Sequence, residues 1–209
     1  MRQNRKSKMK TDIIIAGVGG QGILSIATVI GLAAVNKKLN IKQAEVHGMS
    51  QRGGAVYSHL RLSDRPIASD LIPLGRADLI LSVEPMEALR YVPYLTPDGW
   101  LVTNTQPFVN IGNYPDRQSL MEQLNAIQNR VIVDADVLAA QCGNIKASNM
   151  VMLGAATPFI NIEMKELEKA ITATFERKGA DTVKVNICAL LAGYEVAMKA
   201  KQPILQVNS

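Results

Sequence analysis

Asp12-Ile-Ile-Ile-Ala-Gly17-Val-Gly19-Gly20-Gln21-Gly22-Ile23 is the stretch whose reading decides the fold. An unbroken apolar run of this length reads as a strand buried on both faces, the habit of parallel sheets. It empties into a glycine cluster, and then Ile23, Ile26, Ala27, Ile30 and Ala34 recur at three- and four-residue steps, the period of an amphipathic helix over 23–36. Strand, glycine turn and helix in that order open a doubly wound, Rossmann-like α/β domain.

The pattern continues outward from there. Strands are expected at 41–46, 55–62, 77–83, 100–104 and 131–134, with Pro97-Asp98-Gly99 as a turn before the fourth of them. Helices are expected at 86–91, where Pro85 suits the first helical position, and at 116–128. From Ala135 onward all is helical, in segments 135–142, 148–156, 164–178 and 181–199. The expectation is a mostly parallel sheet with a helical C-terminal third, in one domain covering residues 11–209. The strand at 55–62 alternates: Val56, Ser58, Leu60 and Leu62 share one face, and Tyr57, His59 and Arg61 share the other. That second face is expected to meet solvent or a partner, with His59 a surface or interface residue.

Charge and composition exclude several classes of function. The net charge is +5, but Arg2, Arg5, Lys6, Lys8 and Lys10 supply it all; the other 18 basic residues balance the 18 acidic ones. Residues 1–10 therefore read as a disordered basic tail on a neutral domain. Aromatic residues make up 4% of the chain, too few for base-stacking platforms, so no nucleic-acid partner is expected. No stretch approaches the roughly 20 apolar residues of a membrane span. The run 13–18 is short, follows Asp12 and lacks a small-residue cleavage site, so it is not read as a secretory signal. Without a secretory context, Cys142 and Cys188 are expected to be buried free thiols rather than a disulfide. Two cysteines cannot supply four-thiolate iron–sulfur ligation, and with only His47 and His59 beside them no metal site is expected.

Two loops stand out as places for chemistry. Gly17, Gly19 and Gly22 match the G-x-G-x-x-G pattern, in which backbone amides at a helix N-terminus take up a phosphate; tight strand–helix packing asks for the same glycines. A dinucleotide site also needs an acid at the end of the second strand to hold ribose hydroxyls, and Glu45 is the only residue offered there. The second loop, Gly48-Met-Ser50-Gln51-Arg52-Gly53-Gly54, sets a guanidinium beside two glycines, where a ligand or another chain can approach the backbone. A structural arginine tying down the loop is the alternative. Ser50 has no histidine-bearing nucleophile motif around it, and His47 reads as a polar strand end. Glu84 and Asn104 end parallel strands, where ligands gather in such sheets, and rank behind the two loops. Asn149 and Gly154-Ala155-Ala156-Thr157 read as close helix packing, and Asn186 in an apolar helix needs a polar partner.

These motifs follow one another in a familiar order. Gly17-Val-Gly-Gly-Gln-Gly-Ile23, Glu45-Val-His-Gly-Met-Ser-Gln-Arg-Gly-Gly54, the strand from Asp78 to Glu84 with its Pro85 helix, Asn149-Met-Val-Met-Leu-Gly154 and Asn186 together make the chain resemble the gamma-type domain of 2-oxoacid:ferredoxin oxidoreductases. The lead-in His47-Gly48-Met49-Ser50-Gln51 resembles the indolepyruvate (arylpyruvate) branch more than those acting on pyruvate, 2-oxoisovalerate or 2-oxoglutarate.

The resemblance implies an oxidative decarboxylation of a 2-oxoacid with coenzyme A to an acyl-CoA, reducing ferredoxin, in a cytoplasm with little oxygen. It also implies that thiamine diphosphate and iron–sulfur clusters reside on a large partner subunit, through which ferredoxin is reached, and that this chain is inactive alone. Within that frame Gly17, Gly19, Gly20, Gln21, Gly22, Gly53 and Gly54 are the expected cofactor-binding residues, with a phosphate of coenzyme A as the ligand. Ser50, Gln51 and Arg52 are expected to reach toward the partner's active site, Arg52 stabilising an anion there. A free-standing nucleotide-dependent reductase, or a nucleotide-sensing module docking through its basic tail, are the rival readings.

Overall fold

The computed structural model describes residues 9–47, 54–109 and 112–201. Six strands form one sheet: β1 (Lys10–Val18), β2 (Asn40–His47), β3 (Ala55–Ser63), β4 (Ala77–Ser82), β5 (Leu95–Asn104) and β6 (Arg130–Val133). Their order across the sheet is β2-β3-β1-β4-β5-β6. β1, β4, β5 and β6 pair parallel, whereas β3 runs antiparallel to both β1 and β2. Five strands thus point one way and only β3 is reversed. The cause is the short connection between β2 and β3, which cannot carry the crossover that a parallel pair needs and so makes a hairpin.

The helices are α1 (Ile23–Asn36), α2 (Pro85–Tyr91), α3 (Arg117–Asn125), α4 (Ala135–Gln141), α5 (Ser148–Ala156), α6 (Met164–Phe175) and α7 (Ala180–Lys201). They cover both faces of the sheet. Ile13 and Ile15 of β1 pack with α1, α5, α6 and α7, while Ile14 and Ala16 pack with α2 and α3. β1 is therefore buried from Thr11 to Val18, which is why its sequence is a continuous apolar run rather than an alternating one. Each fully buried isoleucine contributes about 1.5–3 kcal/mol of transfer free energy.

α5 and α7 cross at near-backbone contact. A Cβ built on Gly154 would lie 1.9 Å from the Leu190 carbonyl oxygen, and one on Gly193 would lie 1.9 Å from that of Val151. The small residues of 154–156 are thus a packing feature, as the sequence suggested. Asn186 is buried, and its side-chain amide donates to the Thr182 carbonyl one turn back (2.8 Å).

Four expectations need correction. Met9 and Lys10 do not belong to a tail: the Met9 amide donates to Asp64 and Lys10 opens β1; residues 1–8 lie outside the described residues. Pro97-Asp98-Gly99 is not a turn before β5 but lies within it, where the register with β4 jumps from Ala77↔Leu95 to Leu79↔Trp100. On the second face of β3, Tyr57 and Arg61 are half-buried, but His59 is not a surface residue. His59 is 4% exposed, accepts from the Ile72 amide through Nδ1 (3.0 Å) and stacks edge-on to Tyr57 and Tyr94, because the chain after β3 folds back over this face. Finally, Cys142 and Cys188 form a disulfide, with Cα atoms 5.7 Å apart. Cys142 caps α4, Cys188 faces outward from α7, and the packing of these helices brings the two sulfurs together, a proximity that separation in sequence does not announce.

Candidate functional site

At the carboxyl ends of β1 and β4 the chain turns sharply through Gly19 to Gly22. Gly17 sits where any Cβ would meet Val83 (2.3 Å), so the strand must be bare at this point to pass β4. Gly20 and Gly22 hold left-handed φ angles of +98° and +82°, which side-chain-bearing residues adopt only with strain. The Gln21 side-chain oxygen accepts from the Val18 amide (2.7 Å) and the Gln21 amide donates to the Val18 carbonyl (3.2 Å), closing the turn upon itself. Gln21 is thus committed to the loop's own shape.

Gly22 caps α1 without offering a side chain. No acid or polar cap competes for the first amides of this 14-residue helix, whose N-terminus carries partial positive charge. Beside it opens a cavity of about 490 Å³. Gly22, Ser25, Lys146, Asn149, Lys178 and Asn186 are among its lining residues. Asn149 donates to the Gly22 carbonyl (3.3 Å), so the start of α5 is pinned to the glycine turn. The wall pairs neutral amide and hydroxyl groups with the two ammonium groups of Lys146 and Lys178, against the single carboxylate of Asp181. Such a mixture of helix-terminal amides, amide side chains and lysines is chemistry for a phosphate-bearing molecule.

A second, smaller cavity of about 290 Å³ lies beyond the ends of β4 and β5, lined by Gln21, Val83, Asn104, Gln106, Phe108 and Lys146 among others. Lys146 therefore borders both cavities. The second-rank candidates serve as struts here. Asn104 accepts through Oδ1 from the Thr105 (2.9 Å) and Ala135 (3.1 Å) amides, fixing the start of α4. Glu84 is fully buried; its carboxylate caps α2 at the Glu87 amide (2.8 Å) and accepts from the Phe108 amide (3.3 Å) and the Tyr114 hydroxyl. Burial and the Glu84 carboxylate push the Tyr114 phenol well above its ordinary range, so it remains the donor.

The two loops singled out in the sequence meet through backbone: the Gly19 amide donates to the Gly54 carbonyl (3.0 Å). Ser50, Gln51, Arg52 and Gly53 lie outside the described residues. Of the other expected site residues, Gly22 faces the larger cavity and Gln21 the smaller. Gly17 answers to packing, and the Gly19 amide is spent on Gly54. Sequence reasoning missed Lys146, Lys178 and Ser25. Lys146 follows Gly143-Asn144, a helix-breaking pair that marks a loop, but nothing local connects that loop to a glycine turn more than a hundred residues earlier.

The described residues hold no helix long and apolar enough to cross a membrane. The sequence matches the pyruvate ferredoxin/flavodoxin oxidoreductase family over residues 12–196. It is 36% identical over 202 residues to the indolepyruvate oxidoreductase subunit IorB of Archaeoglobus fulgidus, covering 92% of this chain and 98% of that protein. The corresponding subunit of Pyrococcus horikoshii is 34% identical over 206 residues, covering 94% of this chain and 98% of that one. Among solved structures, the fold superposes with a TM-score of 0.73 at 19% identity on the 2-oxoglutarate:ferredoxin oxidoreductase of Magnetococcus marinus, over 91% of this chain and 31% of that much longer chain.

Proposed function

The chain belongs to the pyruvate ferredoxin/flavodoxin oxidoreductase family, and from that premise we propose that it is the small subunit of an indolepyruvate (arylpyruvate) ferredoxin oxidoreductase in the cytoplasm. The reaction is oxidative decarboxylation of the 2-oxoacid with coenzyme A, giving an acyl-CoA and reduced ferredoxin. Identity to IorB subunits along nearly the whole chain supports the substrate class.

The chain's own residues fit one part of that chemistry and not another. Its two cysteines are joined to each other, and four-thiolate ligation is beyond it, so iron–sulfur clusters belong on the large partner. Thiamine diphosphate, assigned to the same partner, supplies when bound the nucleophilic carbon and the electron sink for decarboxylation.

This chain binds and positions coenzyme A. Gly22 and the first amides of α1 receive a phosphate, Lys146 and Lys178 balance its charge, and Asn149 keeps the turn in register. The single observation that carries this reading is the cavity of about 490 Å³ built on the bare N-terminus of α1 and bordered by two lysines. Arg52, two residues before the Gly54 carbonyl that holds Gly19, is assigned to an anion at the partner's active centre, with Ser50 and Gln51 beside it.

The test is steady-state turnover of the chain co-expressed with its large subunit. Indolepyruvate and phenylpyruvate are expected to be oxidised far faster than pyruvate or 2-oxoglutarate. Arg52→Ala is expected to lower turnover of the assembled complex without unfolding the subunit, and Lys146→Ala to raise KM for coenzyme A about tenfold, the loss of one charge-assisted contact. Unchanged kinetics for both 2-oxoacid and coenzyme A in these variants would remove the reading.

A further inference from the structure

The disulfide lies against the larger cavity. Gly143 and Asn144, which directly follow Cys142, and Val185 and Asn186, which shortly precede Cys188, all line it. The bond thus ties two neighbouring parts of one wall: the segment 143–147 that carries Lys146, with Ile145–Ala147 a 3-10 turn, and the flank of α7.

The loop's described hydrogen bonds run back to its own neighbourhood. The Gly143 amide donates to Ala140, Asn144 to Ala139, Ala147 to the Asn144 carbonyl and Lys146 to the Asn144 side chain. None of these crosses to α7, and Gly143, at the start of the segment, holds a φ of +104°. Ala147, buried in the core, anchors the far end of the segment, while at its near end the covalent tie to α7 is a bond that thiol chemistry can open. Cys188 is exposed and Cys142 half-buried, so an incoming thiolate has a sulfur to attack.

We propose that the Cys142–Cys188 disulfide is a redox lock on this cavity: oxidised, it holds the Lys146 loop against α7 in the binding shape, and reduced by a dithiol it lets the loop swing out and weakens the ligand's hold. The proposal rests on the cavity being the coenzyme A site. In the exchange, a thiolate of a dithiol reductant of the thioredoxin class attacks the Cys188 sulfur, and Cys142 leaves as a thiolate that takes up a proton. The reductant's second thiolate then attacks its own sulfur in the mixed disulfide and frees Cys188. The protein gains two electrons and two protons, and the dithiol becomes a disulfide. Binding suffers because a preorganised wall must be ordered anew each time.

The full chain is prepared oxidised with glutathione disulfide and reduced with dithiothreitol, and thiols are counted by alkylation and mass. Two cysteines are expected to alkylate only after reduction. Amide hydrogen exchange over residues 143–147 is expected to speed up at least severalfold, with the exchange of β1 unchanged, and the Kd for coenzyme A by calorimetry to rise about tenfold. Cys142→Ser with Cys188→Ser is expected to behave as the reduced protein and to ignore dithiothreitol. Cysteines that alkylate in the oxidised sample overturn the proposal, as does a Kd that is the same in both states. Should coenzyme A bind neither state, the ligand assignment falls. The lock is then decided by the exchange of 143–147, and equal exchange in the two states sinks it even if the double variant does not fold.

Discussion

Gly19 donates its amide to the Gly54 carbonyl at 3.0 Å, so the turn that follows β1 and the chain that enters β3 are fastened backbone to backbone at one end of the sheet. The bond needs β3 antiparallel and adjacent to β1, with Val18 opposite Ala55. It fastens the glycine turn to Gly54, the last residue of the Ser-Gln-Arg-Gly-Gly motif.

Gly22 and Lys146 separate shape from charge at that place. A Cβ on Gly22 would sit 2.4 Å from the Asn149 side-chain nitrogen, at a φ of +82°. Gly22→Ala is expected to lose about 1–2 kcal/mol of stability from the backbone conformation alone, and to weaken coenzyme A binding as Asn149 is displaced. Lys146→Ala should weaken binding while leaving the melting temperature where it was. Calorimetry and thermal unfolding of the two variants check this pairing.

Gly193→Ala places a methyl where the Val151 carbonyl oxygen already lies, 1.9 Å away. Backbone cannot yield as a flexible side chain can, so α5 and α7 must separate. A loss of about 2–4 kcal/mol is expected, at or above the upper end for overpacking. A urea titration reads it as a lower midpoint with an unchanged slope.

Asp12 is fully buried, with its carboxylate held by Nε and Nη2 of Arg61 (2.9 and 3.0 Å) and by Lys10 (2.6 Å). Arg61→Ala leaves that carboxylate under-compensated and also frees the Ser69 and Leu71 carbonyls, both at 2.9 Å from the guanidinium. The expected loss is about 3–5 kcal/mol. Asp12→Asn with Arg61→Met, which removes both charges at once, should restore much of it. Denaturant unfolding of the single and double variants measures the difference.

His59 gives the fold a pH dependence. Burial lowers its pKa below the ordinary 6.5, a shift that Asp70 opposes and Arg61 adds to. Its neutral Nδ1 accepts from Ile72. Between the two values the unfolded chain binds the proton and the folded chain does not. The stability that His59 contributes is thus complete above pH 6.5 and drains away as pH falls toward the folded pKa. In His59→Phe the decline over that window should flatten, as followed by the melting temperature from pH 7.5 to 5.

The helices at Ile23–Asn36 and Ser148–Ala156 begin and end where periodicity, Gly22 and Pro158 put them, since those signals act within a few residues. The strand at Leu95–Asn104 begins earlier than its turn residues suggest, because pairing with β4 overrides them through a register jump. His59 is buried rather than exposed because residues 64–76 cover it, and no alternation in β3 can report what a later segment does. The disulfide was missed for a related reason: redox expectation came from the absence of a secretory signal, whereas the bond follows from the proximity of α4 and α7.

By itself the sequence determined the α/β alternation, the glycine turn and the family, all of which are written in local spacing and in motifs that follow one another along the chain. Only the tertiary structure decided that Lys146, Lys178 and Asn149 line one cavity with Gly22 of that turn, and that a disulfide borders the same cavity. Burial and helix packing act between residues separated by most of the chain's length, and such contacts leave no periodic trace in the residues that make them.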